Sequence, residues 1–152
     1  MLSWSVNSAM QTDRLRSLLD VAAEAEEWLR PLGVDNPRSG HANLVSLASA
    51  GVPLDLLADV CDQFASLAPR MADADMALNN LERYMLAARS PLSTAALFQR
   101  DPESLEHLLL LFSSSQTLAE VLCSDPESYD LLRLTGGRPV ARDVLIEELV
   151  AD

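Results

Sequence analysis

The chain has 152 residues, a formal net charge of −12 and 49% apolar residues. That length suits one domain or a part of something larger, and that apolar share excludes a chain disordered by composition. Leu (29) and Ala (20) dominate while Ile occurs once and Thr four times, a balance that points to helix and away from any sizeable sheet.

The charge narrows the chemistry further. All eleven basic residues are Arg and none is Lys, so a phosphate-gripping loop lysine, a Schiff-base lysine and a polybasic lipid patch are excluded. An acidic chain repels phosphate backbones, so no nucleic-acid partner is expected. The first twenty residues lack a basic start followed by an apolar run, and the run Leu108 to Phe112 falls far short of a membrane span. Cys61 and Cys123 stand alone, without CxxC spacing. They read as small buried apolar residues in a reducing cytoplasm, and no membrane association is expected.

Prolines and capping residues punctuate the chain. Residues 1–12 read as a weakly ordered tail and residues 13–152 as a single helical domain. The first helix is expected from Asp13 to Leu29, with Leu15, Leu18, Leu19, Ala22, Ala25 and Leu29 on one face. Pro31 and Gly33 end it. Asn36-Pro37 supplies an N-cap and a proline at the first helical position for a second helix, to Ala50, whose start Gly40 is expected to fray. Pro53 opens a third helix carrying Leu54, Leu57, Cys61, Phe64 and Leu67. A fourth, from Ala72 to Ala88, carries Ala74, Leu78, Leu81, Met85 and Ala88. Those four helices fill residues 13–89. A short helix from Leu92 to Gln99 follows Pro91.

Then the sequence repeats. Asp101-Pro102-Glu103-Ser104 recurs 24 residues later as Asp125-Pro126-Glu127-Ser128. Each Asp suits an N-cap, each Pro the first helical position and each Glu the positive end of the helix dipole. Residues 91–150 are therefore expected to hold two consecutive helical hairpins. The first breaks at Ser113-Ser114-Ser115, the second at Gly136-Gly137. The segment Leu105 to Phe112 is apolar almost all round, so it belongs in a core with neighbours on several sides, and Leu118 and Leu122 are expected to pack on it. The whole is an all-α bundle of eight or nine short helices.

Candidate chemistry is sparse. Asp73-Ala74-Asp75 has the spacing of a two-metal carboxylate pair, but it opens an amphipathic helix and reads as N-terminal helix charge. Asp55, Asp59 and Asp62 read as a solvated acidic face. His41 and His107 have no visible triad. The three serines lack a nucleophile elbow and read as an interhelical turn whose hydroxyls cap the next helix. Gly136-Gly137-Arg138-Pro139 reads as a plain turn. A helix-turn-helix over Thr117 to Leu134 would present Glu127 and Asp130 against one Arg133, the wrong sign for DNA. No catalytic, cofactor-binding or metal residue is assigned. Trp4, in the tail, and Trp28, beside the first helix's stripe, are the candidate interface anchors, with burial against the core as the other reading of Trp28.

The run Leu108-Leu-Leu-Leu-Phe112-Ser-Ser-Ser115-Gln-Thr-Leu118-Ala-Glu-Val-Leu122, continuing through Asp125-Pro126-Glu-Ser-Tyr-Asp-Leu131-Leu132, resembles the N-terminal helical region of glutamate–ammonia ligase adenylyltransferase. The likeness covers about residues 89 to 135 and contains no catalytic residue. The family's catalytic signature, a Gly-rich turn followed by Asp-x-Asp on a strand, would lie downstream. The resemblance implies a non-catalytic part of a larger enzyme that attaches and removes AMP on glutamine synthetase, with ATP and magnesium as cofactors of the full-length family. It implies a downstream catalytic domain, glutamine synthetase and a PII signalling protein as partners. The alternative is a stand-alone helical interaction module with no enzymatic role.

Overall fold

The computed structural model describes residues 10–126. Among them, eight α-helices and two 3₁₀ turns succeed one another with no strand: α1 (Thr12–Asp20), α2 (Ala22–Leu29), a 3₁₀ turn (Arg30–Leu32), α3 (Pro37–Ser49), α4 (Leu54–Leu67), a second 3₁₀ turn (Ala68–Arg70), α5 (Ala74–Ala87), α6 (Pro91–Arg100), α7 (Pro102–Ser114) and α8 (Gln116–Ser124). The all-α reading holds. The second expected hairpin lies outside the described residues, apart from its first two residues.

The expected first helix is two helices. Val21 between them is extended (φ −119°, ψ 104°), and its carbonyl receives the first amides of α2, from Glu24 at 3.0 Å and Ala25 at 3.3 Å. Ser17 Oγ lies 2.9 Å from both carboxylate oxygens of Glu24 and bridges the break. The interruption changes the phase of the stripe. Leu15, Leu18, Ala25 and Leu29 are buried, Leu19 is half-buried and Ala22 is exposed. Residues 10–12 of the expected tail belong to the described bundle, and α1 begins at Thr12. Met10 is buried, and its amide donates to Asp62 Oδ1 on α4 at 2.6 Å.

Helix α3 ends as its sequence dictates. Gly51 takes φ +103°, a left-handed conformation that suits glycine. Its amide reaches Ala48 O at 3.3 Å, and the Val52 amide reaches Leu47 O at 3.3 Å. This is the paired hydrogen bonding of a Schellman end, and Leu47 and Val52, the two residues it joins, are both buried. Gly40 does not fray the start of α3: its amide donates to Asn36 O at 3.2 Å. A Cβ there would lie 2.7 Å from Leu29 Cδ1 and 3.3 Å from Leu78 Cδ2. The missing side chain lets α2, α3 and α5 approach one another.

Helix α5 is the hub. It packs on α3, α6, α7 and α8, most extensively on α7. It therefore buries more than one stripe: Ala74, Leu78, Leu81 and Met85, as expected, and also Ala77, Asn80 and Tyr84. Helix α4 packs on α1, α3, α6 and α7 and closes the other side of the core.

Helix α7 occupies the interior as its apolar run predicts. Leu105, Leu108, Leu109 and Phe112 are all fully buried. The packing residues of α8 are Ala119, Leu122 and Cys123, while Leu118, expected among them, is only half-buried. Position 118 carries the Ser115 cap bond through its amide, which places it in the first turn of α8. Leu108→Ala should cost ~2–5 kcal/mol of unfolding free energy, as a large-to-small change in a filled core does. Leu110→Ala, at a half-buried position, should cost clearly less. Urea denaturation of both variants checks the contrast; equal losses would mean that the inner face of α7 is misassigned.

Candidate interaction surface

Several of the candidate residues have a specific local partner. Asp73 is the N-cap of α5 and accepts from the Met76 amide at 3.0 Å. Asp75 reaches across to the segment before α3, where its carboxylate accepts from the amides of Asp35 at 2.6 Å and Asn36 at 2.8 Å. The two acids serve different tasks and do not converge. One satisfies an orphan helix amide and the other clamps a loop. Beside them, Asn36, Ser39, Asn43, Asp75 and Asn79 line a crevice of about 70 Å³ between α3 and α5. It is bridged by Asn43 Nδ2 donating to Asn79 Oδ1 at 2.6 Å.

The acidic ladder of α4 is only partly a solvated face. Asp55 is exposed. Asp59 accepts from Gln99 Nε2 of α6 at 2.9 Å. Asp62 is half-buried against Met10. Among the described residues, no group of three His, Cys, Asp or Glu is arranged to hold a metal ion.

The serines at the α7–α8 junction divide their work. Ser115 Oγ accepts from the Leu118 amide at 3.2 Å and caps α8, as expected. Ser113 and Ser114 lie in the last turn of α7 and donate back to Leu110 O at 2.8 and 2.9 Å. Ser113 Oγ also accepts from the Ala72 amide at 3.3 Å, tying the junction to the start of α5. His41 Nε2 lies 2.9 Å from Leu19 O and links α3 to α1, while His107 is exposed.

Sequence reasoning missed Asn80. It is 1% exposed and donates to Phe112 O at 3.1 Å and Gln116 Oε1 at 3.0 Å. Its own carbonyl lies 3.7 Å from Cys123 Sγ. The only signal for it in the sequence is an Asn inside an otherwise apolar helical stripe.

Trp28 is half-buried and packs on the core. With Leu44, Leu47, Val60, Cys61, Phe64, Leu78 and Leu81 it lines a void of about 10 Å³, too small to serve a ligand. Trp28 is thus in part a packing residue, and Trp4 lies outside the described residues. The exposed large apolar side chains among the described residues are Val21, Leu86 (43%) and Leu92 (48%). Leu110, Leu111, Leu118 and Val121 are half-buried on α7 and α8. Across the bundle, Arg70 pairs with Glu106 at 2.9 Å, an exposed contact that adds little stability.

Compared with known proteins, the chain matches no family model, no curated protein and no solved structure.

Both cysteines are free thiols. Burial pushes the Cys61 thiol up to about 12, with the nearby Asp62 charge adding to it. Burial also raises Cys123, against the opposing charge of Arg83. Little thiolate is available at either position. A disulfide reagent should modify the native protein slowly, with Cys61 slower than Cys123, and both should react at once in denaturant. Rapid native labelling of Cys61 would contradict this burial.

Burial raises the Asp62 carboxyl above its ordinary value of 3.8, the Met10 amide opposes the rise, and Asp59 adds to it. A carboxyl that is harder to ionise in the folded state contributes less stability as pH climbs through the window just above its unfolded value. Asp62→Asn keeps an oxygen for the Met10 amide and removes the charge. Its stability relative to the parent should rise as pH climbs from about 3 towards 7, the window in which the parent's Asp62 ionises. Denaturation at both ends of that range tests the sign; a relative loss at the upper end would overturn it.

Proposed function

We propose that this chain is a non-catalytic helical segment of a protein similar to glutamate–ammonia ligase adenylyltransferase. It acts by packing against a downstream catalytic domain or by docking glutamine synthetase or a PII protein in the cytoplasm. The observation that carries the reading is the residue pattern from Leu108 to Leu132. The described part of that pattern is helical on both sides of a serine-capped turn. Phe112, Ala119 and Leu122 face inward, and Leu111, Leu118 and Val121 are left half-buried. A module that works by contact needs such a rigid scaffold with some apolar surface left over.

The chemistry of the chain supports a role without catalysis. Adenylyl transfer needs carboxylates that hold metal ions together with groups that neutralise a triphosphate. Asp73 and Asp75 are engaged with backbone amides, the chain has no Lys, and its net charge is −12. ATP and magnesium are assigned to the full-length family and not to these residues.

Two measurements test this. Isothermal titration with ATP and magnesium should give no saturable heat. Micromolar binding that is abolished by Asp73→Asn with Asp75→Asn would establish a nucleotide site and end the non-catalytic reading. A pull-down with purified glutamine synthetase and PII should retain one of them, and Leu118→Asp with Val121→Asp should weaken retention while circular dichroism stays helical. If neither is retained, and the gene beyond the Asp152 codon encodes no Gly-rich turn with Asp-x-Asp, the stand-alone interaction module replaces the adenylyltransferase reading.

A further inference from the structure

We draw no further inference here: the strongest candidate, the pair of exposed leucines Leu86 and Leu92 flanking the turn between α5 and α6, is an unpartnered apolar face, and nothing in the structure shows what covers it.

Discussion

The carboxamide of Asn80 stands in the interior, where an unpaired polar group would be costly. It donates to Phe112 O and to Gln116 Oε1. Phe112 lies in the last turn of α7, where carbonyls lack an intrahelical donor, and Gln116 is the first residue of α8. One side chain of α5 therefore holds both limbs of the α7–α8 elbow. Tyr84, one turn further along α5, reinforces the arrangement. Its ring lies 5.7 Å from that of Phe112, and its hydroxyl donates to Pro126 O at 3.1 Å. Apolar burial supplies the driving force for this half of the molecule. It is non-directional, so the angle of the elbow needs a directional bond.

The same helix grips the first half through two more polar side chains. Asp75 holds the turn before α3, and Asn79 meets Asn43 on α3. Helix α5 thus carries apolar contacts on several sides, with polar contacts placed along its length. The acid pair that looked most like a catalytic motif is divided between two backbone contacts, Asp73 capping α5 and Asp75 holding the segment before α3. This bracing by α5 gives the proposed docking role a physical basis, since a surface is useful for recognition when the helices that present it are fixed before the partner arrives.

Much of the fold was legible because helix boundaries here are written in local chemistry. Asn36-Pro37, Ser90-Pro91 and Ser115 each cap a helix in the way their residue types suggest. Asp101 occupies its expected cap position, although its carboxylate accepts from the Ser104 hydroxyl at 2.8 Å and not from a helix amide. The break at Val21 was not legible. The run from Asp13 to Leu29 has helical periodicity throughout, and the Ser17–Glu24 bridge across the break is visible only in three dimensions. Gly40 was misread because a packing glycine and a fraying glycine are the same letter; Leu29 and Leu78 decide between them. Asn79 and Asn80 are adjacent and identical, yet one is exposed and the other buried, a difference set wholly by the neighbours of α5. For the candidate surface, sequence left Trp28 open between an interface anchor and a buried packing residue, and the side chain is half-buried. The half-buried Leu110 and Leu111 of α7 were hidden inside a segment that is apolar almost all round.

The measurement that bears most directly on the elbow is equilibrium unfolding of Asn80→Ala beside Gln116→Ala. Gln116 is exposed, so its truncation should cost little. Asn80→Ala leaves the buried Phe112 carbonyl without its donor and should cost ~1–3 kcal/mol. Hydrogen exchange should then speed up in α8 before it does in α3. Parental stability and unchanged exchange in Asn80→Ala would contradict the claim that this amide sets the geometry of the second half.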